Sequence, residues 1–150
     1  MFLIESKALN VLIRGNDISM EKRVNGIQKQ IKKGVDQLIG AAKKIAENIP
    51  IYDSAGQEIS FDRTLFSHCI VLVSELYAFG EWDHVVLRIF QAMIEQPMCL
   101  NVMDLQEFMH IIGASQGKRD RFDYFLLQRR DDLIKNMNIH SKMQIVLVKD

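Results

Sequence analysis

Apolar residues recur along the chain in two periods, one typical of helices and one typical of strands. Residues 20 to 48 carry apolar side chains at steps of three and four, which predicts a long amphipathic helix. Ser19 is a suitable N-cap with Glu21 in the first turn. The helix ends at Ile49-Pro50, because the residue before a proline avoids helical backbone angles. Its expected buried stripe consists of Ile27, Ile31, Val35, Leu38, Ala42 and Ile45.

Four other segments have the character of strands. Residues 2 to 13 begin with an apolar run, and residues 66 to 75 form a continuous apolar and β-branched run. A continuous run is typical of a central strand that is covered on both faces. Shorter strands are predicted at residues 100 to 103 and 143 to 148.

Further helices are predicted between these strands. One covers residues 82 to 96, and another follows Asp104 and ends at Gly113. The last covers residues 120 to 137, with a buried side formed by Phe122, Phe125, Leu126, Leu133 and Ile134. This alternation predicts one α/β domain over residues 1–150, with a mixed, mostly parallel central sheet and flanking helices.

The overall charge does not favour any class of function. Nineteen basic residues balance nineteen acidic ones in 150 residues, so a nucleic-acid role would need a local basic patch. The long helix offers one candidate, which is either a solvated face or a phosphate-binding surface. Its members are Lys22, Lys29, Lys32, Lys33, Lys43 and Lys44.

A second group of basic residues belongs to the last helix. Acidic residues at 120, 123, 131 and 132 are interleaved with it, which predicts an exposed helix with surface ion pairs. The basic members are Lys118, Arg119, Arg121, Arg129 and Arg130.

Cysteine usage and the N-terminal residues predict the compartment. Cys69 and Cys99 lie in apolar surroundings without metal-ligand spacing, so we expect buried thiols and a reducing environment. The apolar segment before Glu5 is too short for a signal-peptide core or a membrane span. These features predict a soluble, cytoplasmic protein without a membrane partner.

The candidate chemistry lies in the first strand. Glu5 and Lys7 are two positions apart and share one face of the strand, whereas Ser6 points to the other face. A carboxylate can hold a divalent cation, and an ammonium group stabilises the charge that develops on a phosphate under attack. The pair therefore predicts metal-assisted phosphodiester hydrolysis. The alternative is an ordinary ion pair at the end of a strand.

This strand, the long helix after it and the apolar strand at residues 70 to 73 resemble the distal half of the PD-(D/E)XK, restriction-endonuclease-like nuclease core. The resemblance implies that Glu5 binds the metal, that Ser6 contributes its backbone carbonyl, and that Lys7 orients the attacking water or stabilises charge. It also implies Mg²⁺ or Mn²⁺ as the cofactor and DNA as the substrate.

Some branches of this superfamily place a glutamine or a basic residue on the following helix, near the phosphate. Gln30, Lys33 and Gln37 share one helical face and are the matching candidates here. The alternative for the two glutamines is that their side chains only contact solvent.

The sequence departs from the family pattern in one respect. The family's metal-binding Asp normally lies on the strand before the Glu-x-Lys strand, and only four residues precede Glu5 in this sequence. Three explanations stay open: the chain is the C-terminal part of a longer nuclease, Asp17 or Glu21 acts as a migrated acid, or the chain is a remnant that no longer cleaves.

The alternative function is a non-catalytic α/β interaction module. If the upstream elements are absent, the strand at residues 2 to 8 has one side without a neighbour. Phe2, Leu3 and Ile4 make that edge apolar. We therefore predict a homo-oligomer that forms through the N-terminal strand.

Overall fold

The computed structural model describes residues 1–7, 18–63 and 67–141, which form a central sheet with helices on both faces. The sheet has three strands, and the second lies between the other two. Both pairings are parallel, so the described sheet is entirely parallel rather than mixed. The α/β fold class predicted from the alternation is confirmed. The strands are β1 (Phe2–Lys7), β2 (Ser67–Val73) and β3 (Met98–Asp104).

Four helices of the described residues cover the sheet, two on each face. The first two pack against each other on one face, and the last two pack against each other on the opposite face. They are α1 (Met20–Ala46), α2 (Asp83–Glu95), α3 (Leu105–Ser115) and α4 (Arg119–Asn136).

The continuous apolar run of β2 supplies both cores, as expected for a central strand. Cys69, Val71 and Val73 pack on the α1 and α2 side. Ile70 and Leu72 pack on the α3 and α4 side. Because alternate side chains of one strand point to opposite faces, this single strand ties the two helical layers together.

The predicted start of α1 is confirmed. The hydroxyl of Ser19 accepts a hydrogen bond from the backbone N–H of Lys22. The helix ends at Ala46, two residues before the predicted end, and the expected stripe is buried except for Ala42, which is half-buried. The stripe fixes the rotation of α1 and therefore decides which of its polar residues reach β1.

Gly34 lets α1 approach the sheet closely. A Cβ atom at this position would lie 2.8 Å from Cγ1 of Val71 and 3.5 Å from Cε of Lys7. Val71 is β-branched and buried, so it has little freedom to move aside. The absence of a side chain at Gly34 thus brings the helix directly over the end of β1.

The predictions for the second half of the chain need two corrections at helix ends. α3 continues past Gly113 to Ser115, because the left-handed turn that ends it falls on Gln116 and Gly117. Ile134 was predicted to be buried but is 42% exposed. These differences move the boundary of α3 and the inward face of α4 without changing the order of elements.

Arg129 corrects the prediction of a wholly exposed basic helix. Its side chain is fully buried, and Nε lies 2.9 Å from Oε1 of Glu107. Nη2 also donates hydrogen bonds to Oε2 of Glu107 and to the backbone oxygen of Ile139. In a capping box, the Glu107 carboxylate would accept from the backbone N–H of Asp104. Asp104 does accept from the N–H of Glu107, while the Glu107 carboxylate turns to Arg129.

The prediction that Cys69 and Cys99 are buried thiols is confirmed. Both are free and buried, and they lie on opposite faces of neighbouring strands. Burial raises the pKa of Cys69 to about 12 and that of Cys99 to about 11. Both thiols therefore stay protonated and unreactive near neutral pH.

Several predictions fall on residues 8–17 and 142–150, outside the described residues. They are the continuation of the first strand, the last strand and the candidate acid Asp17. Among the described strands, β1 is hydrogen-bonded to β2 only, so the homo-oligomer stays a prediction. None of the described helices combines the length and the apolar character needed to cross a membrane.

Candidate functional site

Alternation along β1 selects the residues that face α1. Ile4 and Ser6 are exposed on the other face, whereas Glu5 and Lys7 are half-buried beneath the helix. The side chain of Lys7 is only 10% exposed and that of Glu5 is 29% exposed. An ammonium group in such a position is stabilised by nearby polar partners, because burying a charge without them is costly.

Lys7 has two such partners. Its Nζ donates a hydrogen bond to Oε1 of Glu5 at 2.6 Å. It also donates to Oε1 of Gln37, which lies thirty positions away on α1. Strand and helix thus meet at one ammonium group, and the carboxylate, ammonium and amide form a contiguous polar cluster.

The cluster lies at the carboxyl end of the sheet. Lys7 is in register with Val73 of β2, which is in register with Asp104 of β3, and each is the last residue of its strand. In open parallel sheets, ligands bind beyond the carboxyl ends of the strands. The position of Glu5 and Lys7 is therefore one at which α/β proteins commonly place their chemistry.

Of the three helical candidates, only Gln37 contacts the pair. Gln30 and Lys33 are exposed, and they precede Gln37 on α1 by about 10 Å and about 6 Å along the helix axis. Contact with a phosphate stays a prediction for both.

The candidate replacement acid Glu21 is not brought to the cluster. It lies in the first turn of α1, about 24 Å along the helix axis from Gln37. A metal ligand must lie within a few ångströms of the ion. Glu21 therefore cannot share an ion with Glu5 in this conformation.

The donor set fits a metal ion only in a limited way. Within the described parts of the chain, no group of three or more His, Cys, Asp or Glu residues could hold an ion. Glu5 and the carbonyl of Ser6 supply one carboxylate and one neutral oxygen. Mg²⁺ is commonly bound through one or two carboxylates plus substrate phosphates. The residues present therefore fit an ion that is shared with a substrate phosphate, and not an ion held by protein alone.

His68 is a second titratable group near β1, on the opposite face of the sheet. Its ring stacks on that of Phe2 with 5.4 Å between the ring centroids, and its Nε2 lies 3.6 Å from Oδ1 of Asp123. Burial lowers the pKa of His68 below its usual value of 6.5, although the Asp123 carboxylate opposes this shift. The packing of Phe2 thus depends on a histidine that is held neutral.

This lowered pKa makes stability depend on pH. Between the folded-state pKa and 6.5, the unfolded chain binds more protons at His68 than the folded chain does. The free energy of unfolding should therefore fall as the pH drops below about 6.5. Urea unfolding at about pH 7.5 and about pH 5.5 measures this change in the free energy of unfolding. His68→Gln is the matched control, because it removes the titrating group. An equal loss in the wild type and in His68→Gln would show that other groups cause the change.

Comparison with known proteins gives no assignment. No family model matches the chain, and no curated protein or solved structure matches it.

Proposed function

We propose that this domain carries a metal-dependent phosphodiesterase site of the nuclease type that acts on DNA. The observation that supports the proposal is the convergence of Glu5, Lys7 and Gln37 at the carboxyl end of β1. Glu5 and Lys7 come from a Glu-x-Lys strand, and Gln37 comes from the helix that follows it. Gln37, thirty positions away on the helix, binds the same ammonium group as Glu5.

Each side chain has a distinct role in this proposal. Glu5 and the carbonyl of Ser6 would hold the ion, which neutralises phosphate charge and activates a water molecule. Lys7 stabilises the negative charge that grows on the phosphate oxygens during attack. Gln37 is a positioning residue, because it holds the Lys7 ammonium through its amide oxygen. Gln30 and Lys33 would contact phosphates further along the strand.

The same cluster explains how Lys7 stays in place before a substrate arrives. Its charge is balanced by Glu5 and a second N–H group donates to Gln37, so little reorganisation is needed when a phosphate approaches. Glu5 would be shared between Lys7 and a bound cation, and Lys7 would gain a new partner in a bound phosphate. The two events are therefore expected to favour each other.

Incubation of the full chain with a DNA duplex tests the proposal. We expect strand cleavage with Mg²⁺ or Mn²⁺, none with a chelator, and loss of cleavage in Glu5→Gln. Cleavage that is unchanged in Glu5→Gln would overturn the assignment of this cluster.

The interaction module is the second candidate, and one observation favours it. Ile4 is 49% exposed on a strand that has one partner among the described strands. A chain that forms a stable dimer by light scattering, dissociates on Ile4→Lys and cleaves nothing with either metal would support this candidate over the nuclease.

A further inference from the structure

One face of α1 carries lysine, glycine and glutamine, with Asp36 at its edge. Four lysines on this face are separated by seven, four and eleven residues, which keeps them in line on a helix. They are Lys22, Lys29, Lys33 and Lys44. The remaining positions of the same line, reached at steps of three and four, are Gly26, Gln37 and Gly40. We call these seven positions the lysine stripe.

The lysine stripe is exposed and carries unbalanced charge. All four lysines are exposed, and none of them forms an ion pair with another described residue. α1 contains seven basic and two acidic residues, although the whole chain is balanced. One of these acids, Asp36, forms an ion pair with Arg88, in which Nη2 of Arg88 lies 2.7 Å from Oδ1 of Asp36. A positive potential along this face is therefore built into the helix.

Packing does not account for the two glycines in the stripe. A glycine within a helix costs about 1 kcal/mol relative to alanine. Among the residues that the structure describes, a Cβ atom at Gly26 or Gly40 would meet nothing within 4 Å, in contrast to Gly34, where it would collide with Val71. No described residue thus requires a small side chain at Gly26 or Gly40. A glycine on an exposed helix face also allows another molecule to approach the backbone closely.

The stripe continues into the candidate site. Gln37 belongs to it and also binds Lys7. α1 is about 40 Å long and β1 about 20 Å, so the N-terminal half of the helix extends past the carboxyl end of the sheet. From Lys22 to Lys44 the stripe spans about 33 Å, which is close to one turn of B-form DNA. A polyanion lying on the stripe therefore passes the Glu5 and Lys7 pair.

We propose that the lysine stripe binds the sugar-phosphate backbone of duplex DNA and directs it to Glu5 and Lys7. The four ammonium groups neutralise phosphates, while Gly26 and Gly40 allow the backbone to come closer to the helix than side chains would permit. The direction of the DNA toward a reaction rests on the proposed function, whereas the binding itself does not. Duplex binding accounts for glycine at two positions where alanine would make the helix more stable.

Fluorescence anisotropy with a labelled duplex of about 20 base pairs tests the lysines. The measurement is made in a chelator, so that binding is separated from cleavage. The double variant Lys29→Ala/Lys33→Ala should lower the slope of log affinity against log salt by about 1.8, since each phosphate contact contributes about 0.9. Lys118→Ala/Lys135→Ala is the matched control, because it removes two exposed lysines at the ends of α4, away from the stripe. An unchanged slope in the double variant would overturn the proposal.

The glycines permit a test in which stability and binding change in opposite directions. Gly26→Ala/Gly40→Ala should raise the melting temperature by about 2–6 °C, because alanine favours the helix. The same variant should weaken duplex binding by about 3-fold or more, a loss that helix stability alone cannot cause. Gly113→Ala, at an open position of α3, should raise the melting temperature and leave binding unchanged. Equal duplex affinity in the stripe variant and in the wild type would contradict the role of the glycines.

The two proposals fail separately. Salt-dependent duplex binding that needs the stripe, without cleavage in Mg²⁺ or Mn²⁺, would retain the stripe and overturn the nuclease. Cleavage and duplex binding at wild-type levels in the stripe variants would retain the nuclease and overturn the stripe. Tighter binding of a single strand than of the duplex would overturn the duplex as the occupant.

Discussion

Replacing Arg129 with alanine is expected to lower the free energy of unfolding by about 3–5 kcal/mol. Arg129 is fully buried and holds both oxygens of Glu107 and the carbonyl of Ile139. Its removal leaves the Glu107 carboxylate, which is itself buried, without a counter-charge. A buried unpaired charge is among the few causes of losses this large.

The expected loss is large relative to the whole stability of a small domain, about 5–15 kcal/mol. Arg129 joins α4 to α3 through Glu107 and to the turn after α4 through Ile139. Urea unfolding followed by circular dichroism measures the change in midpoint and slope. A wild-type midpoint in Arg129→Ala would contradict the account.

Two further variants separate the unpaired charge from the general effect of losing a large side chain. Arg129→Met/Glu107→Leu removes both charges while keeping most of the volume, and it should recover most of the lost stability. Arg130→Ala removes a neighbouring arginine whose partner Asp131 is exposed, so it should cost at most about 1 kcal/mol. Failure of the double variant to recover would indicate that packing, rather than charge, dominates at this position.

Glu5→Gln and Lys7→Met are each expected to lower the rate of phosphodiester cleavage by about 100-fold or more. Glu5 is the one carboxylate in the cluster, so its neutral analogue would bind the ion far more weakly. Lys7 supplies a fixed positive charge in a half-buried position, where loss of one such group typically costs 100- to 1,000-fold. Gln37→Ala should have a smaller effect, about 10-fold, because it acts through the position of Lys7.

Matched controls keep this result interpretable. Glu58→Gln and Lys118→Met make the same chemical changes at exposed positions away from the cluster, and they should cleave at the wild-type rate. Thermal unfolding of every variant confirms that the fold is retained. Cleavage by Glu5→Gln or Lys7→Met at the rate of its matched control would place the chemistry elsewhere.

The fold could be predicted from the sequence because its signals are local. The buried apolar face of α1 could be predicted from apolar residues at steps of three and four, and the start of the helix from the N-cap Ser19. β2 follows from an uninterrupted apolar run that is buried on both faces. These patterns report which side chains must leave water, and the alternation of elements then sets the class.

The contacts that join distant positions could not be predicted in this way. Arg129 looked like a surface residue because charged neighbours surround it in sequence, yet its partner Glu107 lies 22 residues earlier on another helix. The meeting of Lys7 with Gln37 depends on the rotation and depth of α1, which Gly34 helps to set. Such pairings depend on packing and leave no spacing signal in the sequence.

Calorimetric titration of Mn²⁺ tests the central claim most directly, with the full chain alone and with a phosphorothioate duplex that resists cleavage. Because Glu5 supplies a single carboxylate, we expect Mn²⁺ to bind at least about 10-fold more tightly when the duplex is present. Glu5→Gln should abolish that gain. Equal Mn²⁺ affinity with and without the duplex, or a gain that persists in Glu5→Gln, would contradict a metal site shared between Glu5 and a DNA phosphate.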